Sequence, residues 1–311
     1  MTAKKYNLKT YSLRKRKNLV KASDFAKIHR PFAQFSEFFN CLPNILAAKG
    51  LRELVDDIVR AHRNGKQVVF AFGGHVVKSG TSPVVIDLIN RGIITAIVTH
   101  GAGAIHDYEI SLIGETSEDV EESIKNGSFG MSRETSGAFA AACRRGAKNN
   151  CGLGRAMGEI IWKSQNKFAS QSILAAAVKQ NIPAAVLAAI GTDITHAHPG
   201  LRGEDLGKSS LIDFHKVIET VKKLQHGVWI NAGSAVILPE VFLKAVSAAR
   251  NLGARLTDFT TANMDMIQHY RPKMNVLGRP SPKGIALTGH HEIMLPLLRA
   301  AVVTRLCRFK D

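Results

Sequence analysis

A recurring pattern constrains this chain more than any other feature: a short, uninterrupted apolar run stops at small residues, and a segment of helical period follows. The run Gln67–Gly74 (QVVFAFGG) ends in paired glycines. Ser82–Arg91 then places Val84, Val85, Leu88 and Ile89 on one side of a helix, with Gly92 as its cap. Ile94–Gly103 (ITAIVTHGAG) is a second apolar run ending in glycines. Strand, loop, helix and strand make a βαβ unit, and runs without polar alternation read as strands buried on both faces. Upstream, Phe32–Arg63 shows helical spacing at Leu51, Leu54, Val55, Ile58 and Val59, and Gly65 ends it. Downstream, Ser172–Gln180 predicts a helix and Pro183–Ile190 a buried strand that stops at Gly191. Leu211–Leu224 predicts a helix, Val228–Asn231 a strand stopping at Gly233, Pro239–Asn251 a helix and Arg255–Thr261 a strand. The alternation implies an α/β fold, a Rossmann-like and mostly parallel sheet with helices on both faces.

At 311 residues and 45% hydrophobic content the chain can bury a sizeable core. No change of composition divides it after the first 30 residues, so 31–311 read as a single domain. The longest strongly apolar run, Ile182–Ile190, is far short of the roughly 20 residues that span a bilayer, and Pro183 interrupts it. The basic N-terminus has no apolar core behind it, unlike a secretory signal. Cys41, Cys143, Cys151 and Cys307 form no CxxC pair, and a reducing cytoplasm is the expected location. The formal net charge of +17 is concentrated: residues 1–30 hold ten Lys/Arg against Asp24 alone. Such an arm can touch RNA or another polyanion, or act as a solubilising extension over an acidic partner surface. No RNP-type motif, zinc finger or helix-turn-helix pattern supports a nucleic-acid partner.

Ligands of open α/β sheets bind beyond the carboxyl ends of the strands. The residues expected there are Gly73-Gly74-His75, His100-Gly101-Ala102-Gly103 with His106 and Asp107, Gly191-Thr192-Asp193, Ala232-Gly233-Ser234, and Thr260-Thr261-Ala262-Asn263. Small residues let backbone amides approach a phosphate or a flat ring, and Asp193 can accept from ribose hydroxyls. No G-x-G-x-x-G fingerprint is present; GAGAIH at Gly101–His106 has the wrong third position, which argues against a standard dehydrogenase.

The segments GGHVVKSGTSPVVIDLINRG, VTHGAGAIHDYEI and DFTTANMDMIQHYRP, with the closing TGHHEIMLPLL, resemble the deoxyhypusine synthase family, and more closely its divergent deoxyhypusine-synthase-like branch. The similarity runs from about Val69 to Pro296. It implies a Rossmann-like sheet, a homotetramer, NAD bound near a subunit interface and, in the authentic enzyme, aminobutyl transfer from spermidine to a lysine of a translation factor. Carried across by motif, Ser79 matches the serine of the first nucleotide loop, and Thr99 and Gly103 match the T-T-A-G-G motif. Asp193 matches the aspartate of T-D-G-S, and Thr261 with Ala262 the N-T-A-Q turn. Together with Gly74, Gly101, Gly233 and Ser234 these form the expected NAD-binding set.

The departures bear on chemistry. Where the family has S-W-G-K, this chain has Leu287-Thr288-Gly289-His290, so the catalytic lysine position reads as histidine. His106 replaces a pocket glutamate, Leu238-Pro239-Glu240 replaces K-H-H, and Met266-Ile267-Gln268-His269 replaces the acidic G-S-D-S, leaving Asp265 nearby. Imidazole cannot form the imine that a desolvated lysine amine forms, so deoxyhypusine synthesis by that route is expected to be absent.

Histidines gather in the loops expected on this edge: His75, His100, His106, His196, His198, His290 and His291. Such a cluster suits general acid–base work or metal binding. His106-Asp107 and His290-His291-Glu292 are the acid–base candidates, and Asp265, His269 and Arg271 the substrate-facing ones. Arg271 has two readings, an anion-positioning fork or a bridge to Asp258 or Asp265. Thr116 or Ser117 is expected to cap a helix start in IGETSEDVEES. Three functions follow: an NAD-binding enzyme acting on a small molecule such as an amine, a metal-dependent hydrolase built on the His/Asp loops, or a non-catalytic NAD-sensing or RNA-associated protein.

Overall fold

The computed structural model describes residues 8–307. Six strands, β1 (Val68–Phe72), β2 (Ala96–His100), β3 (Ala184–Leu187), β4 (Val228–Ala232), β5 (Thr260–Asp265) and β6 (Lys283–Thr288), form one sheet in the order β3-β2-β1-β4-β5-β6. Every neighbouring pair is parallel, with Phe72 facing both Thr99 of β2 and Ala232 of β4. This is an α/β Rossmann-like fold, as the alternating pattern implied.

Side chains alternate across each strand, and each side of the sheet has its own core. Phe70, Phe72, Ile97, Val186, Ile230 and Met264 pack with apolar residues of helices Leu46–Arg63, Ser82–Asn90, Gly101–Ile113 and His291–Cys307. Val69, Val98, Leu187 and Trp229 pack on the other face with helices Gly203–Lys222 and Ile237–Asn251. There the Trp229 and Phe242 rings stack with centroids 4.3 Å apart. Strands β1 to β5 are buried throughout apart from His100, half-buried at the end of β2, whereas β6 buries Ile285 and Leu287 and exposes alternate positions, as an edge strand does.

Three buried carboxylates join these layers. Asp57 accepts from Thr260 and Lys283, each at 2.6 Å, fastening Leu46–Arg63 to β5 and β6. Asp213 accepts from the amides of Gly154 at 2.6 Å and Val186 at 2.9 Å, fastening Gly203–Lys222 to a helix start and to β3. Asp107 does the same for helix Ile173–Lys179.

The fifth strand differs from the expected Arg255–Thr261. Thr257 and Asp258 donate their amides to Gln225 Oε1, so this stretch is a turn, and the ladder begins where the Thr260 amide meets the Gly227 carbonyl. Polar residues disguise β5, because their partners are remote: Asn231 Nδ2 donates to Asn263 Oδ1 at 2.7 Å across the sheet. Thr261 and Ala262, expected in a ligand loop, therefore lie inside the ladder, with Ala262 between Ile230 and Ile285.

Candidate functional site on the carboxyl edge of the sheet

The chain leaves β1 toward one face of the sheet and β4 toward the other, so a crevice opens between these two strands at their carboxyl ends. Backbone replaces side chains at that point. A Cβ on Gly73 would overlap the Gly233 carbonyl, and one on Gly101 would overlap the Asp193 carboxylate. On Gly74 it would stand 2.8 Å from His106 Cδ2, and on Gly233 3.0 Å from His291 Cε1. Gly233 also has φ +63, a conformation that glycine adopts without steric cost. The glycines thus bring His106, Asp193 and His291 against bare backbone.

His106 belongs to a relay. Its Nδ1 lies 2.8 Å from Thr116 Oγ1, and the Thr116 hydroxyl donates to Glu109 Oε2. Because the hydroxyl hydrogen goes to Glu109, the oxygen accepts from His106, which places the ring proton on Nδ1 and leaves Nε2 as a base. Burial alone would raise the Glu109 pKa, but hydrogen bonds from His106, Thr116 and Thr135 outweigh it and hold the carboxylate below its ordinary value. Glu109 and Thr116 were not among the expected site residues. The three-residue step from His106 to Glu109 on a helix was the available signal.

Asp193 lies at the amino end of Gly101–Ile113, its carboxylate standing where a Gly101 side chain would begin and near enough to the Ala102 amide to feel it. Burial pushes the carboxyl up to about 6 against the pull of that amide, and Oδ2 has no partner. His75, His100 and His291 form a second group. The His75 and His291 rings meet edge-on at 5.4 Å, and His291 Nε2 lies 3.0 Å from the Met264 carbonyl. Burial, then His106, depresses His100 to about 4, and both His100 Nδ1 and His291 Nδ1 are buried without a partner. Burial, followed by His291, also lowers His75.

Several expected site residues have other work. Asp107 is fully buried and accepts from Ser172 Oγ at 2.5 Å, Ile173 N at 2.7 Å and Leu174 N at 3.1 Å, so it caps a helix and is no partner for His106. Thr99 is buried in β2 and donates to the Phe72 carbonyl at 2.7 Å, and Gly103 is the residue that makes room for it. Ser79 donates to the Val76 carbonyl within its own turn. Ser234 is buried and its Oγ accepts the Leu238 amide at 3.3 Å. Asp265 accepts the Met266 amide at 2.8 Å. Arg271 pairs with Glu240 at 3.3 Å, not with Asp258 or Asp265. His269 is exposed at the start of the turn Tyr270–Pro272, and His290 and Glu292 are exposed and 3.9 Å apart. The cap of helix Val120–Asn126 is Asp119, not Thr116 or Ser117. His198 accepts the Gly200 amide at 3.1 Å, and among the described residues no three His, Cys, Asp or Glu side chains could together hold a metal ion.

A cavity of about 190 Å³ gathers ionisable side chains: Lys78, His106, Glu109, Glu118 and Asp193 line it beside Ile105 and Phe129. A larger depression of about 690 Å³ opens at the amino edge, by Gln67, Pro183 and Lys216, away from the glycine loops. Among the described residues no helix is long and apolar enough to cross a membrane.

No family model matches the chain, and no curated protein does. Solved structures do. The arginine dihydrolase ArgZ of cyanobacteria aligns over 84% of this chain and 33% of its own, at 17% identity and a TM-score of 0.51. AgrE, solved in ternary complex with ornithine and NAD+, aligns over 83% of this chain and 33% of its own, at 13% identity and 0.53. A protein from Entamoeba histolytica taken to be a deoxyhypusine synthase aligns over 88% and 94%, at 10% identity and 0.50. This chain thus shares the fold of these proteins and spans about a third of the length of ArgZ and AgrE.

Proposed function

We propose that this protein is an NAD-binding enzyme of the deoxyhypusine-synthase-like type that acts on a small molecule, with an amine as the substrate class, and that it does not make deoxyhypusine by the lysine route. The observation that carries the reading is the reversal of strand order between β1 and β4, lined by glycines at which a side chain would collide with its surroundings. Unpartnered buried atoms of His100, His291 and Asp193 at the same edge fit a ligand rich in hydrogen-bonding groups. The fold shared with AgrE, solved with NAD+, adds support.

Gly73, Gly74, Gly101 and Gly233 would admit the dinucleotide to the backbone, and Asp193 would accept from its hydroxyls. When bound, the nicotinamide supplies a hydride acceptor. His106 Nε2 takes the proton that leaves the substrate, and the Thr116–Glu109 pair stabilises the imidazolium that results. Glu109, Glu118 and Asp193 outnumber Lys78 around one small cavity, a balance that favours a cationic substrate. β6 ends in Leu287-Thr288 and is followed by Gly289-His290, and this histidine, at the position that the resemblance assigns to the family's lysine, supports the reading that the lysine route is not used.

Thermal unfolding with and without NAD tests the reading. At a hundredfold excess over Kd, NAD should add about 2.7 kcal/mol of stability. The gain should shrink in a His106→Ala, Asp193→Ala double variant. Folded, nucleotide-free protein with no shift would remove the NAD assignment.

A further inference from the structure

Beside the nucleotide edge lies a buried pair, His196 and Asp193, of which the chemistry above uses only the carboxylate. His196 Nδ1 accepts the Gly191 amide at 3.0 Å and the Asp193 amide at 3.4 Å. A ring nitrogen that accepts from backbone N–H groups carries no proton, so the neutral ring holds its hydrogen on Nε2, the reverse of His106. That Nε2 stands 3.6 Å from Asp193 Oδ2. The two side chains are 8% and 3% exposed, and neither of these atoms has a hydrogen-bond partner. A donor and an acceptor, both desolvated, face each other a few tenths of an ångström beyond bonding distance. Two such groups left apart are costly, and a small movement would satisfy both. Phe139 packs edge-on against the imidazole at 6.4 Å. The carboxylate instead stands where a side chain on Gly101 would begin, at the amino end of Gly101–Ile113, while Asp193 also serves as N-cap of the turn Ile194–Ala197, in a capping box with His196. The carboxylate therefore occupies the place where this helix would hold an anionic group of a ligand.

We propose that His196 is a positioning residue of the nucleotide site: its Nε2–H takes over the Asp193 carboxylate when an anionic group of the ligand claims the amino end of Gly101–Ile113. Asp193 thus has two docks, the helix end in the free protein and His196 in the liganded one. The exchange keeps two negative groups from meeting on one helix end. It rests on the NAD reading for the identity of the ligand.

Two substitutions separate this role from simple loop support. His196→Gln keeps a nitrogen donor near the Nε2 position and loses the ring acceptor. His196→Asn keeps an acceptor near the Nδ1 position and loses the donor. NAD binding measured by calorimetry should stay within about threefold of wild type in H196Q and weaken about tenfold in H196N, as loss of one hydrogen bond to a charged group implies. The opposite order, with Asn tolerated and Gln not, would assign His196 to the loop and overturn the proposal. Nitrogen-15 NMR of the histidine rings in the free protein gives a readout that needs no nucleotide: a protonated Nε2 and bare Nδ1 are expected for His196, and the other tautomer overturns it. Wild-type protein that fails to bind NAD yet shows the expected tautomer would instead sink the NAD reading, and the exchange with it.

Discussion

Asp107 and Asp193 are both buried carboxylates against the amino end of a helix, and burial pushes each up to about 6. Asp107 engages both oxygens, with one hydroxyl and two amides of the Ile173–Lys179 start. Asp193 leaves Oδ2 unpartnered and faces the 190 Å³ cavity that also holds His106. Similar titration therefore hides different employment: the satisfied carboxylate joins two helices, and the half-satisfied one is equipped to accept from a ligand. A displaced pKa alone does not separate the two; the count of partners does.

The contrast can be broken most directly at Asp107. Its replacement by Ala strands three buried donors, and denaturant titration should show a loss of about 3 kcal/mol or more. An intermediate effect is expected from Gly101→Ala, whose methyl group must displace the Asp193 carboxylate. The cost should be about 1–3 kcal/mol, and it should largely vanish in an Asp193→Ala background. Additivity of the two substitutions would show that Asp193 does not rest on that helix.

The smallest effect is one of pH. The folded Asp193 carboxyl titrates above the ordinary value of 3.8, so the native state keeps a proton that the unfolded chain has released. Relative to Asp193→Asn, wild-type stability should be greatest below about pH 4 and decline as pH rises to about 6. A difference that does not change across that window would mean the carboxyl is not desolvated.

Much of the fold was legible because buried parallel strands leave a signature in apolar runs and in the glycines that end them: β1, β2 and β4 coincide closely with Gln67–Gly74, Ile94–Gly103 and Val228–Asn231. β5 was displaced because its residues, Thr260–Asp265, are mostly polar, and their partners Asp57 and Asn231 lie far away in the chain. The gathering of the candidate site was legible in part. Gly74, Gly101, His106, Asp193, Gly233 and His291 do meet on one edge, whereas Asp107, Thr99 and Ser234 carry the right residue types and face inward. Direction along a helix cannot be read from residue type when a carboxylate serves equally well as a cap or as a ligand group.

The sequence by itself determined strands β1 to β4, the two covered faces and the edge on which small residues collect, because these follow from local period and from turns that only glycine makes at low cost, whereas β6 and the strand order were not read from it. It also determined that histidine, not lysine, stands at position 290. Tertiary structure alone decided which carboxylates are spent on caps, which ring nitrogen of His106 and His196 carries the proton, and that Glu109 and Thr116 stand behind His106. Those properties depend on where hydrogen-bond partners arrive from distant parts of the chain, and no local pattern encodes that.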